Sequence, residues 1–286
     1  MKGILLAGGT GSRLAPMTKY ISKHLLPVYD KPMIYYSIST LMLSGIRDIT
    51  IIGTTHDLPL YNVLFEDGKR LGININYIEQ NVPRGIAEAF LLAERYIERE
   101  SVALMLGDNF FYGQSFSDML NIAKTESCNN AVVFAYPVKS PSRYGVIEFN
   151  KERIISIEEK PKRPKSNFAI PGLYFFDNTV VDKARRLKPS HRGELEITDI
   201  NRMYLDEGKL KVIELGRGMT WFDMGTPETM LKTAEFVNTI QHEQGFYVSS
   251  PEEIAWRMRF INDEELKENA MHYSNSAYGE YLLSLI

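Results

Sequence analysis

Residues 2–14 read Lys2-Gly3-Ile4-Leu5-Leu6-Ala7-Gly8-Gly9-Thr10-Gly11-Ser12-Arg13-Leu14. An apolar run at 2–7 followed at once by glycines predicts a buried strand that enters a tight loop. The glycines and the two hydroxyls of that loop let backbone N–H groups approach an anion without interference from Cβ atoms, which makes a cradle for phosphate. No Gly-Lys-Ser/Thr follows at the spacing of a P-loop. Leu14 stands where a dinucleotide fingerprint needs its third glycine, and this disfavours a dehydrogenase. Arg13 closes the loop instead, with Lys23 further along in Ser22-Lys23-His24-Leu25-Leu26-Pro27. Two cations beside such a cradle suit a polyphosphate tail.

Outward from the loop, Pro32 and Gly45 bracket a helix over 32–44. The β-branched run 48–53 predicts a second buried strand. A strand at 75–79, a helix at 86–98 with Ile86, Ala89, Phe90, Ala93 and Ile97 at helical spacing, and a strand at 102–106 continue the alternation. Continuous apolar strands separated by helices predict an α/β fold, a Rossmann-like doubly wound mixed sheet that is mostly parallel. Beyond residue 130 strand-like segments dominate, at 131–136, 145–149, 154–158, 169–176 and 210–215, with helices expected at 178–187, 196–207 and 228–243. We divide the chain into a doubly wound α/β core over 1–130, a mixed sheet extension of the same domain over 131–227 that would carry a second substrate's contacts, and a helical C-terminal appendage over 228–286. Ile254, Trp256, Phe260 and Ile261 are the apolar anchors of that appendage, which suits an interface or a regulatory role.

The chain has 286 residues, 44% of them hydrophobic, with 33 basic residues against 36 acidic ones. This composition excludes intrinsic disorder and gives no global positive field, so nucleic acid is not an expected partner and any phosphate must be held locally. Cys128 is the single cysteine, which excludes a multi-cysteine metal site and fits a reducing cytoplasm. No apolar run long enough to span a bilayer occurs and no signal segment is read at the start, so the expectation is a soluble, unsecreted protein with no membrane partner.

Asp108 follows the apolar run 102–106, which places its carboxylate at the carboxyl end of a central strand, where α/β sheets hold ligands. Asp223 is a second isolated carboxylate in Thr220-Trp221-Phe222-Asp223-Met224-Gly225. Singly, each reads as a strand cap or a turn former. Together beside a phosphate loop they are a ligand set for Mg²⁺, completed by phosphate oxygens and water. Lys160 ends one strand segment and Arg192 precedes a helix, so the two could grip a second phosphate; alone, each reads as a solvated charge. His24, His56, His191, His242 and His272 lack ligand spacing, and no nucleophile elbow is present.

The stretch 2–14 resembles the sugar-1-phosphate nucleotidylyltransferases. So do Ser22-Lys23, Tyr29-Asp30-Lys31-Pro32-Met33-Ile34-Tyr35-Tyr36, Leu106-Gly107-Asp108-Asn109 and Arg143-Tyr144-Gly145-Val146. The likeness continues through Glu158-Glu159-Lys160-Pro161, Gly172-Leu173-Tyr174-Phe175, Gly193-Glu194-Leu195-Glu196-Ile197-Thr198-Asp199 and Glu253-Ile254-Ala255-Trp256, and the linked set is similar to the thymidylyl branch of that family.

That resemblance implies a Mg²⁺-dependent, in-line condensation of dTTP with glucose 1-phosphate to dTDP-glucose and pyrophosphate, without a covalent enzyme intermediate, in a cytoplasmic homotetramer. It implies that Leu6, Gly8, Gly9, Thr10, Gly11, Gln80 and Gly85 hold the nucleotide, and that Arg13 and Lys23 meet its triphosphate. Asp108 and Asp223 would hold the metal. Tyr144, Gly145, Glu159 and Gly172 would line the sugar pocket, with Lys160 and Arg192 on the sugar phosphate. Arg217, Glu253 and Arg257 match a second, regulatory nucleotide site, where Gln114 replaces a customary His. Arg84, Pro171 and Met224 depart from the family's usual residues beside the base and sugar pockets. A uridylyl- or cytidylyltransferase of the same fold, and a non-catalytic nucleotide-binding subunit, are the alternatives.

Overall fold

The computed structural model describes residues 1–150 and 153–286. Its strands are β1 (Lys2–Leu6), the short pair β2 (Pro27–Val28) and β3 (Lys31–Pro32), β4 (Asp48–Gly53), β5 (Asn74–Glu79), β6 (Val102–Leu106) and β7 (Asn109–Gly113). They continue with β8 (Ala131–Pro137), β9 (Gly145–Asn150), β10 (Arg153–Glu159), β11 (Phe168–Ala169), β12 (Leu173–Phe176), β13 (Leu210–Glu214) and β14 (Met219–Asp223). The main sheet runs β10-β9-β11-β8-β12-β6-β1-β4-β5, with β13 on β8. The strands β6, β1, β4 and β5 are parallel neighbours, with Leu5 opposite Met105 on one side and Ile51 on the other. The fold is the doubly wound α/β mixed sheet expected.

Strand periodicity sets the two faces. Leu5, Ile51 and Met105 pack with Ile34, Ile38 and Leu41 of the helix Met33–Leu43 on one side. Ile4, Ile52 and Leu104 pack on the other with Phe90, Ala93 and Val180. From β12 onward the sheet turns antiparallel through β6/β12, β12/β8 and β9/β10 and carries the second half of the cleft described below. Helices Pro227–Gln244, Pro251–Arg257, Asp263–Met271 and Ala277–Leu283 close the chain. No helix among the described residues is long and apolar enough to cross a membrane.

Local deviations from the periodicity have identifiable causes. The helix expected at 86–98 is two pieces, Glu88–Leu92 and Glu94–Ile97, and it starts late because Ala87 donates its N–H to the Leu195 carbonyl at 3.2 Å. The run 169–176 breaks into β11 and β12 at Pro171-Gly172, where proline has no N–H for the ladder and the Gly172 N–H goes to Asn109 Oδ1 at 2.9 Å. The helices Leu58–Phe65 and Phe116–Glu126 and the ribbon β7/β14 lie outside the sequence reading. That ribbon packs Phe110 and Phe222 against Phe236 and ends with Asn109 paired to Asp223.

Candidate active site

The loop after β1 is fixed at both edges. Ala7 N–H bonds to Ile52 C=O at 2.8 Å, and the Gly107 N–H bonds to Leu6 C=O at 2.9 Å. Gly9 and Gly11 take φ of 98° and 60°, the left-handed region that a side chain would strain. Thr18 Oγ1 donates to the Gly11 carbonyl at 2.8 Å and holds the turn. The result is a cleft of about 190 Å³ lined by Gly9, Thr10, Gly11, Ser12, Arg13, Lys23 and Gly225. Arg13 passes over Gly225 so closely that a Cβ there would sit 2.5 Å from its guanidinium and 2.8 Å from Asp223 Oδ1.

Lys23 opens a short turn capped by Ser22 and extends its ammonium to Asp108 Oδ2 at 2.5 Å. Behind it lies His24, buried, with Nδ1 at 3.0 Å from Ser22 Oγ and 3.3 Å from the Tyr61 hydroxyl, which itself donates to Ala7 C=O. Burial, reinforced by the Lys23 ammonium, pushes the His24 imidazole down to about 3, so it stays neutral and serves as packing and hydrogen-bonding support. Burial acts to raise the Asp108 carboxyl, but the Lys23 ammonium and further donors outweigh it and hold the group well below the usual carboxylate range. Asp223 moves the other way, because burial and the charge of Asp108 both raise it while Arg13 and Lys23 only partly compensate.

The β7/β14 ribbon brings the two carboxylates together, since Asp108 precedes Asn109, the partner of Asp223, and Met224 N–H bonds to the Asp108 carbonyl at 2.8 Å. Two mutually repelling carboxylates, Asp108 buried and Asp223 half-buried, with Arg13 and Lys23 beside them fit a divalent cation accompanied by phosphate oxygens. No cluster of three or more His, Cys, Asp or Glu occurs among the described residues, so this pair would bind a metal only with help from substrate and water. Asn109 is the joint of the site. Its Nδ2 donates to Asp108 Oδ1 at 2.9 Å, while its Oδ1 accepts from Gly172 N–H at 2.9 Å and Trp221 Nε1–H at 2.7 Å.

A second cleft, about 470 Å³, shares Arg13 with the first; Asp108, Tyr144, Gly145, Glu159, Lys160 and Gly172 are among the residues that line it. Tyr144 stands edge-on to Trp221 at 5.0 Å. Gly145 leaves room for Glu159 and Thr198, which donates its hydroxyl to Glu159. Lys160 has φ of 41°, a left-handed conformation held by its N–H bond to the Tyr144 carbonyl at 3.0 Å, and its ammonium lies 3.6 Å from Glu159. Such stored strain is typical of a functional position. Arg192 is bound by Glu196 at 2.7 Å, Glu194 at 3.0 Å and Glu159 at 3.4 Å, so most of its charge is compensated within the protein and Lys160 is the more available cation.

Gln80 is buried at the end of β5, with its Oε1 where a Cβ on Gly8 would come within 2.7 Å. Gly85 has φ of 104°, and a Cβ there would lie 2.4 Å from the Leu195 carbonyl, which ties the 84–87 loop to the segment that carries Arg192. Leu6 ends β1 beside Gly107. The remaining predicted group is separate from these clefts. Glu253 and Arg257 form an ion pair at 2.6 Å in the C-terminal helices, whereas Arg217 lies exposed in the turn between β13 and β14 and forms no ion pair among the described residues. Arg143, Trp221, Tyr174, Ile170 and Ile197 line the larger cleft without having been singled out from sequence. An aromatic in Thr220-Trp221-Phe222 next to an assigned carboxylate was the available signal for Trp221.

Comparison with known proteins places this geometry in context. The nucleotidyl transferase family model matches residues 2–240. The chain is 53% identical to glucose-1-phosphate thymidylyltransferase of Neisseria meningitidis, over 100% of this chain and 99% of that protein. It is 52% identical to the protein of that name from Mycobacterium tuberculosis, with the same coverage. Among solved structures, a candidate glucose-1-phosphate thymidylyltransferase from Bacillus anthracis, crystallised with a sucrose, superposes with a TM-score of 0.76 at 40% identity, covering 82% of this chain and 94% of that one.

Proposed function

The chain belongs to the nucleotidyl transferase family, and from that premise we propose that it condenses dTTP with α-D-glucose 1-phosphate to give dTDP-glucose and pyrophosphate. The full-length identity to glucose-1-phosphate thymidylyltransferases supports the substrate pair. The observation that carries the mechanism is the junction of two clefts at Arg13, one walled by a glycine loop and the other by Lys160, with Asp108 and Asp223 between them.

In this reading the glycine loop, Leu6, Gln80 and Gly85 receive the nucleotide, and Arg13 and Lys23 face its triphosphate. Tyr144, Gly145, Glu159 and Gly172 receive the sugar, and Lys160 with Arg192 its phosphate. A phosphate oxygen of the sugar phosphate attacks the α-phosphorus; the new P–O bond forms as the bond to the β-phosphoryl oxygen breaks and pyrophosphate leaves. The nucleophile is already ionised, so no general base is required, and among the described residues no histidine or cysteine lines either cleft. The barrier is the approach of two anions and the charge that grows on the leaving group, which positioned cations offset. Asp108 and Asp223 would hold Mg²⁺, which when bound supplies charge neutralisation at the phosphates.

The protein works in the cytoplasm as a homotetramer in this reading, with Arg217, Glu253 and Arg257 at a second nucleotide site. The test of the metal assignment is Asp108→Asn. Loss of Mg²⁺-dependent turnover with normal unfolding supports it, and near-normal turnover at low Mg²⁺ removes Asp108 from the metal site.

A further inference from the structure

Gln80, placed above among the residues that receive the nucleotide, can turn its amide in only one direction, and the reason is a buried acid that the reaction itself does not use. Gln80 Nε2 donates to Glu88 Oε2 at 2.9 Å. The same oxygen accepts the Arg84 backbone N–H at 3.0 Å, and the Arg84 guanidinium lies against the other carboxylate oxygen, with Nε 3.0 Å from Oε1. Glu88 is 5% exposed and Gln80 4% exposed, so neither exchanges these partners for water. A carboxylate has no proton to give, so the –NH₂ end of Gln80 must face it. Rotating the amide by half a turn would set the carbonyl oxygen against Glu88 Oε2, two acceptors in contact in a buried place, which is strongly unfavourable.

The other end of the amide, Oε1, therefore points toward the glycine loop, where a Cβ on Gly8 would come within 2.7 Å of it. It presents an acceptor there, flanked by the second N–H of the same amide. Thymine and uracil carry an imide edge, N3–H as donor beside carbonyl acceptors, which this pattern complements. Cytosine offers N3 as an acceptor beside an amino donor, and only the flipped amide would match it.

We propose that Glu88 is a positioning residue that sets the pyrimidine preference of this enzyme, by locking Gln80 in the orientation that accepts an imide edge and opposes cytosine. Arg84, which departs from the family's usual acidic residue, has a role in the same device, since its backbone N–H and its guanidinium charge both hold the carboxylate in place. The assignment rests on the reading that Gln80 meets the base.

The test compares dTTP, UTP and dCTP with glucose 1-phosphate in wild type, Glu88→Gln and Glu88→Ala, by pyrophosphate release. A glutamine at 88 can donate as well as accept, and an alanine does neither, so both variants free Gln80 to flip. The dTTP-to-dCTP ratio of kcat/KM is expected to fall by about tenfold or more. The dTTP-to-UTP ratio should stay within about twofold, because the two bases share the imide edge. Mere loosening of the loop would lower all three rates together and leave both ratios in place. In a Gln80→Ala background Glu88→Gln should no longer alter the dTTP-to-dCTP ratio. Thermal unfolding identifies which variants fold. A folded Glu88→Gln enzyme with the wild-type dTTP-to-dCTP ratio overturns the assignment and leaves the function standing. A wild-type enzyme that uses no pyrimidine triphosphate overturns the function itself.

Discussion

Replacing Asn109 tests whether one buried amide ties the carboxylate pair to the sugar cleft. Its Oδ1 is the acceptor for both Gly172 N–H and Trp221 Nε1–H, and its Nδ2 is a donor to Asp108. Asn109→Ala leaves two buried donors without an acceptor. At ~1–3 kcal/mol for each, the loss is ~2–6 kcal/mol before any cavity is counted. Against a usual total of ~5–15 kcal/mol this is a large fraction, so the variant should unfold at markedly lower urea with an unchanged m-value. Asn109→Asp keeps both accepted bonds but removes the N–H to Asp108 and sets a second carboxyl against it; it should be less stable in alkaline than in mildly acidic buffer. Gly172 and Trp221 line the larger cleft, so both variants should raise KM for glucose 1-phosphate more than KM for dTTP. A loss under about 1 kcal/mol in Asn109→Ala, with KM for the sugar phosphate unchanged, would show that Asn109 does not tie the two parts of the site together.

Other substitutions probe separate parts of the site. Lys160→Ala and Lys160→Gly should both raise KM for the sugar phosphate and lower kcat, but the glycine variant should be more stable by about 1 kcal/mol because φ is 41° there; equal unfolding midpoints would show that the left-handed backbone stores no strain. Gly225→Ala puts a Cβ 2.5 Å from Arg13, which must move, so turnover should drop by about 10²-fold with little change in unfolding. Normal kinetics in that variant would take Arg13 out of the reaction. His24 titrates near 3 when folded and near 6.5 in the unfolded chain. The unfolded state therefore binds the proton first, and stability that is complete above pH 6.5 is lost as pH falls toward 3, at about 1.4 kcal/mol per unit. His24→Asn should show a slope shallower by about that amount over this window, and parallel pH profiles would contradict the assignment.

The core of the fold was legible because its strands are buried on both faces. In β1 and β4 the residues Ile4, Leu5, Ile51 and Ile52 are all apolar, and a continuous run of that kind has few other uses. The glycine loop, Arg13, Lys23, Asp108 and Asp223 were readable for a related reason: glycines and isolated charges immediately after apolar runs stand out locally. What stayed hidden depends on contacts between distant segments. Trp221 reaches Asn109 through a ribbon whose strands are separated by a hundred residues of chain, and no periodicity signals that pairing. The same applies to Glu88, which reads in sequence as one more exposed helix-start acid, and to Arg192, whose charge is offset by glutamates brought in from β10 as well as from its own turn. The break at Pro171-Gly172 is local in sequence, but its cause, the Asn109 carbonyl waiting for the Gly172 N–H, lies elsewhere.

The proposed reaction transfers a thymidylyl group onto a sugar phosphate. Phosphorus NMR of the purified protein with dTTP, glucose 1-phosphate and Mg²⁺ follows every phosphorus at once. The two substrates should disappear together, with dTDP-glucose and pyrophosphate appearing in equal amounts and neither forming when the sugar phosphate is left out. Release of inorganic phosphate in place of pyrophosphate, or no change in the presence of all three components, would contradict it.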